Sequence, residues 1–176
     1  MIEIQWIDEK RKDDINIKNE PFLLYGRMIP RYNGEWSYTT ELFPEEEQRS
    51  MTFPDEHYSY DALRRISFFV GAYNDDRQCI GLAIYQQSWN KYLYLYDLKV
   101  KSSYQKSGVG KALIEKGKAI ALAHGYHGIY TQGQDNNLSA CLFYIKTGFK
   151  IGGLDTMVYA GTQQAGKSDI TFYLDC

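Results

Sequence analysis

Only three cysteines, Cys79, Cys141 and Cys176, occur in the 176 residues. An odd number at such wide spacings fits neither a disulfide framework nor a zinc-binding pattern, so the thiols read as reduced and the chain as cytoplasmic. Histidine is as scarce: His57, His124 and His127 form no metal-ligating motif, and no metal is expected. No charge of one sign prevails. Lys and Arg total 20 against 22 Asp and Glu, a formal charge of −2, which argues against general nucleic-acid binding and suits a small-molecule partner. No apolar run approaches the roughly 18 residues of a membrane-spanning helix, so no membrane partner is expected. The opening Met-Ile-Glu-Ile-Gln-Trp has no signal-peptide pattern. The four prolines fall at positions 21, 30, 44 and 54, and the stretch they punctuate is irregular, with no linker and no repeat.

Tyrosine is abundant instead, with 16 residues. This suits either β-rich packing or aromatic faces for a polar cation. The length predicts one domain over 1–176, with an acceptor-side region over about 1–65 and a core over 66–176. Strands are predicted over 1–6, 68–73, 78–86, 92–100, 128–132, 149–160 and 169–174. Helices are predicted over 108–124 and 137–147, with a further one over 44–51, where Pro44 precedes three glutamates. This order predicts an α/β (α+β) fold: a mixed central β-sheet flanked by helices.

The most informative stretch is 96–113. A Tyr-, Leu- and Val-rich strand runs into Gln105-Lys106-Ser107-Gly108-Val109-Gly110-Lys111, succeeded by a helix whose apolar residues Val109, Leu113, Gly117, Ile120 and Ala121 share one face. A glycine-containing loop opening a helix directs backbone N–H groups at one point, where the helix dipole is positive. That is an anion site suited to a pyrophosphate, with Lys106 and Lys111 adding charge. The third glycine of the dinucleotide fingerprint is missing.

The pattern Gln-x-x-Gly-x-Gly between strand and helix resembles the acetyl-CoA signature of the GNAT N-acetyltransferases. A second stretch, Asn137-Leu-Ser-Ala140-Cys-Leu-Phe143-Tyr144-Ile-Lys-Thr-Gly148-Phe149, is similar to that family's Asn-x-x-Ala-x-x-(Leu/Phe)-Tyr-x-x-x-Gly-Phe. The resemblance implies the GNAT acyl-CoA N-acyltransferase fold and acetyl-CoA as cosubstrate. It implies that Asn137 lies beside the pantetheine arm, that Tyr144 protonates the departing thiolate, and that the backbone of Leu98, Lys99 and Val100 bonds the pantetheine amides. Amine acetylation needs a neutral amine, whereas an alkylamine has a pKa near ~10.4. A carboxylate near the reaction centre can take the proton, and Asp97, on the strand before the loop, is the candidate base.

Further stretches, among them Asn19-Glu-Pro-Phe22, Gly34-Glu-Trp-Ser-Tyr38, Trp89-Asn-Lys-Tyr92, Gln134-Asp-Asn-Asn137 and Asp155-Thr-Met-Val-Tyr159, resemble the streptothricin acetyltransferases. This resemblance implies acetylation of the β-lysine moiety of that polycationic antibiotic. Carboxylates and aromatic faces suit such an acceptor, and Trp36, Tyr38, Glu41, Trp89, Tyr94 and Asp155 are candidate lining residues, as are Asp55 and Glu56. Lys99 would repel the cation and is expected to point away from it. An acetyltransferase for a polyamine, an aminoglycoside or a protein N-terminus remains open, as does a non-catalytic acyl-CoA sensor. By family analogy a homodimer is expected. Gly161-Thr-Gln-Gln-Ala-Gly166-Lys167-Ser168 spells a P-loop, but Asp169-Ile-Thr-Phe-Tyr-Leu after it alternates like a strand, so a polar hairpin loop is expected.

Overall fold

The computed structural model describes residues Met1–Cys176. In chain order the elements are β1 (Glu3–Trp6), a 3-10 segment (Glu9–Asn16), β2 (Phe22–Leu24), β3 (Gly26–Tyr32), β4 (Trp36–Leu42), a 3-10 turn (Glu45–Glu47), β5 (Arg49–Met51), α1 (Tyr60–Leu63), β6 (Ser67–Tyr73), β7 (Cys79–Gln86) and β8 (Tyr92–Val100). Next come a 3-10 turn (Ser102–Tyr104), α2 (Val109–Ala123), β9 (Gly128–Gln134), α3 (Leu138–Thr147), β10 (Lys150–Asp155) and β11 (Asp169–Asp175). Seven strands hydrogen-bond in the order β1-β6-β7-β8-β9-β11-β10 as one mixed sheet flanked by helices, and β2–β5 and β3–β4 form separate two-stranded ladders. The chain divides into two compact units interleaved in sequence. Residues 52–65 group with 1–20 and 66–129 in one of these units.

The first unit comprises residues 1–20, 52–129 and 176. Its strands β1, β6, β7 and β8 are antiparallel neighbours. On one face of β6 and β7, Phe69, Leu82 and Ile84 pack with Ile7 and Ile15, and Ile17, Tyr58, Tyr60 and Leu63 close over them. On the other face lies α2, whose buried residues include the predicted stripe Val109, Leu113, Gly117, Ile120 and Ala121. Residues 9–16 are too charged to offer a helical stripe. They form a 3-10 segment capped by Asp8 that buries Ile15 alone.

Tyr85 ties α2 to the sheet: it is fully buried and its hydroxyl donates to Leu113 O at 2.9 Å. Gly117 makes room for the ring, since a Cβ there would lie 2.2 Å from Tyr85 Cζ. Gly117→Ala therefore gains about 1 kcal/mol of helix propensity but forces a buried aromatic to move. A net loss of about 2 kcal/mol is expected, lowering Tm by roughly 4–8 °C. Thermal unfolding monitored by circular dichroism checks this, and an unchanged Tm contradicts the packing described.

The second unit comprises residues 21–51 and 130–175. β3 pairs with β4 from Gly26↔Leu42 to Tyr32↔Trp36, and β2 pairs with β5. The helix expected over 44–51 does not form. Pro44 opens only the single 3-10 turn Glu45–Glu47, and Arg49–Met51 pairs with β2 as a strand. Three adjacent glutamates repel one another, and with no apolar face nothing stabilises a longer helix. α3 begins where the Asn137 side chain accepts from Ala140 N and ends at Gly148, with φ 104°. β10 stops at Asp155, short of the predicted residue 160, because the Asp155 carboxylate accepts from Met157 N and Val158 N and turns the chain. Residues 161–168 form turns between β10 and β11, and the chain continues from them into β11 rather than into a helix.

Candidate active site

β8 does not alternate uniformly. Its register with β7 shifts between Tyr85↔Leu95 and Ile84↔Asp97, leaving Tyr96 as the extra residue of a bulge. Side chains on a strand alternate with a period of two, so one inserted residue exchanges the faces of all those after it. Leu93 and Leu95 are buried, and Leu95 pairs with Tyr85, on the face covered by α2. In a regular strand Asp97 would join them. The bulge instead sets Asp97 opposite Ile84 and Lys99 opposite Leu82, on the face of the Ile7–Ile15–Phe69 cluster. Tyr94 and Tyr96 stand on the same side, their ring centroids 6.1 Å apart, and Tyr96 lies 5.8 Å from the ring of Tyr58.

A polar cluster surrounds Asp97. The Tyr58 hydroxyl donates to Asp97 Oδ2 at 3.0 Å. Lys99 Nζ lies 3.4 Å from the same oxygen, donates to Glu56 Oε2 at 2.6 Å and reaches Ile17 O at 3.2 Å. Asn19 donates through its amide side chain to Glu56 Oε1 at 2.9 Å, while its backbone N–H donates to Asp55 Oδ1. Asn16 and Tyr58 exchange hydrogen bonds, Asn16 Nδ2 to Tyr58 O at 2.9 Å and Tyr58 N to Asn16 Oδ1 at 2.6 Å. The segments around residues 16–20 and 54–58 are thus laced together beside β8.

The expectation that Lys99 points away is corrected. Residues 97 and 99 share a face by alternation, so Lys99 lies beside Asp97, where Glu56 neutralises its charge. Burial raises the Asp97 pKa, and the pull of Lys99 and the Tyr58 hydrogen bond only partly offset it. At Glu56 burial also raises the pKa, but the bonds from Asn19 and Lys99 outweigh it and bring the value below its usual range. Burial and the nearby Asp97 push Tyr58 far up, so it remains a donor at any working pH.

The loop before α2 has the geometry of an anion cradle. Gly108, at φ 88°, precedes α2 without a side-chain cap, and Lys106 is also left-handed, at φ 61°. The Ala112 N–H bonds Gly108 O, so the amides of Val109, Gly110 and Lys111 precede the helix's internal ladder. Gln105 Nε2 reaches back to Val100 O at 3.4 Å, and the Ser107 hydroxyl bonds Tyr104 O. Leu98 and Val100 pair with Ala83 and Gly81 of β7, with Lys99 between them opposite Leu82.

In the second unit, Tyr144 of α3 is 8% exposed, with ring centroids 5.6 Å from Phe143, 5.3 Å from Phe149 and 5.2 Å from Phe172. Asn137, expected beside the pantetheine arm, also serves as the N-cap of this helix. Of the candidate acceptor-lining residues, Glu41 pairs with Arg27 at 3.0 Å, Trp36 packs on Tyr32 with centroids 5.0 Å apart, and Tyr38 faces Pro30 across the β3–β4 ladder. Asp155 holds its turn. Trp89 is 92% exposed in the β7–β8 turn, and Tyr94 packs beside Tyr96. Tyr58, Tyr96 and Asn19 join the cluster around Asp97 and Glu56 without any motif that marks them as site residues in the sequence. Tyr58 meets Asp97 across 39 residues of sequence, and the only signal in the chain is its neighbourhood, Asp55-Glu56-His57-Tyr58. No group of three or more His, Cys, Asp or Glu residues is arranged to hold a metal ion.

A bulged strand carrying a half-buried carboxylate, next to a glycine loop that opens a helix, is an arrangement that suits acyl transfer. The model of the acetyltransferase (GNAT) family matches residues 32–149, and the chain belongs to that family of acetyltransferases. It is 37% identical over 161 residues to streptothricin acetyltransferase A of Bacillus subtilis (strain 168), covering 91% of this chain and 92% of that protein. A crystal structure described as a candidate streptothricin acetyltransferase from Bacillus anthracis str. Ames, in complex with acetyl coenzyme A, matches with a TM-score of 0.88. The two are 29% identical, with 100% and 99% of the chains covered. A nourseothricin acetyltransferase shares the fold with a TM-score of 0.80, 23% identity and coverage of 99% and 98%.

Proposed function

We propose that this chain transfers the acetyl group of acetyl-CoA to an amine of the β-lysine moiety of streptothricin, inactivating the antibiotic. The observation that carries the acceptor is the reach of the likeness. Identity of 37% over 91% of the chain to a streptothricin acetyltransferase extends well beyond the acetyl-CoA signatures. The tyrosines and carboxylates around Asp97 support the same reading, because a polycationic amine gains from both aromatic faces and negative charge.

The residues present fit acetyl-CoA. The uncapped amides of Val109, Gly110 and Lys111, with Lys106, suit its pyrophosphate, and the β8 backbone at Leu98–Val100 suits its pantetheine amides. Bound acetyl-CoA supplies an activated acetyl thioester. Asp97 takes a proton from the acceptor ammonium, leaving nitrogen a lone pair. The new N–C bond forms as the C–S bond breaks, the Tyr144 hydroxyl protonates the departing sulfur, and the second proton shed by the acylated nitrogen restores that hydroxyl through solvent. Neither buried cysteine suits an acyl-cysteine route. Burial pushes the Cys79 thiol up to about 11 and Cys141 up to about 12, so neither supplies a thiolate at neutral pH.

The loop makes a prediction of its own. A side chain at Gly108 meets nothing within 4 Å, but at φ 88° an L-residue is strained by about 1–2 kcal/mol. Gly108→Ala is expected to raise the KM for acetyl-CoA roughly tenfold with a smaller change in kcat; an unchanged KM contradicts the cradle. The proposal as a whole is tested by mass spectrometry of streptothricin after incubation with enzyme and acetyl-CoA, paired with a growth-inhibition assay. Addition of one acetyl group with loss of inhibition is expected. Acetylation of a polyamine or aminoglycoside with streptothricin left unmodified contradicts it.

A further inference from the structure

Both contacts on Asp97 converge on one oxygen. Tyr58 Oη donates to Oδ2 at 3.0 Å and Lys99 Nζ stands 3.4 Å from the same atom, while Oδ1 accepts no hydrogen bond. Lys99 Nζ donates to Glu56 Oε2 at 2.6 Å and to Ile17 O at 3.2 Å, and forms an ion pair with Asp97 Oδ2. Its side chain is 9% exposed and its Nζ lies 5.8 Å from the centre of the Tyr58 ring. Glu56 is in turn fixed by Asn19. With Asp97 and Glu56 ionised and Lys99 protonated, two negative charges and one positive leave a net charge of −1, the complement of a single ammonium.

We infer that Tyr58 and Lys99 are positioning residues for the reaction: they grip Asp97 by Oδ2 and leave Oδ1 to receive the acceptor amine. This rests on Asp97 being the base. Lys99, an ammonium held by Glu56 and Ile17 O, acts on the carboxylate and not on the cationic acceptor. It holds the carboxylate in one rotamer and in its ionised form, and Glu56 keeps the ammonium from competing for the acceptor's place. The titratable groups facing Asp97 are Lys99 from β8 itself and Tyr58 and Glu56 from the segment packed over it. Both grips favour the carboxylate over the carboxylic acid, so removing either makes the proton harder to lose.

The test compares the pH dependence of kcat/KM for streptothricin in the wild type, Tyr58→Phe, Lys99→Met and Asp97→Asn, at saturating acetyl-CoA. Tyr58→Phe retains the ring and removes one hydrogen bond. It is expected to lower kcat/KM about tenfold at neutral pH and to move the acidic limb to higher pH, with KM for acetyl-CoA unchanged. Lys99→Met is expected to move the limb further in the same direction, and Lys99→Arg, which keeps the charge, to restore part of the shift. Thermal unfolding of each variant separates loss of fold from loss of positioning. A limb that stays at the wild-type position in folded Tyr58→Phe and Lys99→Met, while Asp97→Asn is inactive, overturns the positioning role and leaves the base standing. Full activity in Asp97→Asn overturns the base reading and the positioning role with it.

Discussion

Tyr144→Phe is expected to lower kcat for acetyl transfer about a hundredfold, the lower end of the contribution of a positioned general acid, and to change acetyl-CoA binding less than about twofold. The substitution removes one oxygen and nothing else. The ring sits among Phe143, Phe149 and Phe172, with centroids 5.2–5.6 Å away, and phenylalanine fills the same space. The caps of α3 are the Asn137 side chain and backbone bonds from Gly148, neither of which uses the Tyr144 hydroxyl, so α3 keeps its ends. On the proposed mechanism the loss is that of the proton donor for the leaving sulfur. Because a thiolate is already a fair leaving group, the effect should be smaller when a better-leaving thioester is used. Steady-state kinetics with calorimetric titration of CoA checks both halves. Full activity in the variant removes Tyr144 as the acid, and lost CoA binding with unchanged kcat makes it a packing residue.

Asp97→Asn is expected to cost a further order of magnitude, about a thousandfold in kcat/KM for the acceptor, because it removes both the proton acceptor and the negative charge facing the ammonium. The sign of its pH dependence is set by its surroundings. Burial raises the Asp97 pKa above 3.8 despite Lys99 and Tyr58, so wild-type activity falls as pH drops through that raised value, and the variant should lack this limb. Stability moves the other way. A carboxyl group whose folded pKa is raised favours the fold most fully below its unfolded pKa, and that contribution is lost as pH rises through the folded value. At neutral pH the ionised Asp97 therefore costs stability, and Asp97→Asn is expected to melt no lower than the wild type. Wild-type activity in the variant, or an unchanged acidic limb, contradicts the assignment.

The parts of the chain legible in sequence are those where local pattern and packing agree. The stripe Val109–Leu113–Gly117–Ile120–Ala121 belongs to a single helix face and is the face α2 buries. The Gln105–Lys111 loop is a local backbone device, and the left-handed turn at Gly108 is where its glycine predicts. Asn137 caps the start of α3 with its side chain, and Gly148, lacking one, ends it in the left-handed conformation. The failures have two physical sources. One is the bulge at Tyr96: an inserted residue leaves no mark in a run of Tyr and Leu, yet it decides which face Asp97 and Lys99 occupy and so reverses the expectation for Lys99. The other is long-range lacing. Residues 16–20 and 54–58 carry no strong helical or strand periodicity, and their order comes from the Asn16–Tyr58 exchange and from Asn19 on Asp55 and Glu56. Contacts of that kind exist only once the sheet has formed, which is why Tyr58 escaped notice. The three glutamates after Pro44 misled in the opposite sense, as a helix-start signal with no apolar stripe behind it.

Acetyl transfer from acetyl-CoA to streptothricin is read out by free-thiol release from acetyl-CoA at neutral pH, measured with and without the antibiotic. The structure and its likeness to streptothricin acetyltransferase A predict fast release that saturates with streptothricin and is absent without it. Release no greater than background in the presence of streptothricin, from folded protein that binds acetyl-CoA, would contradict the claim and point to other amines as the acceptor.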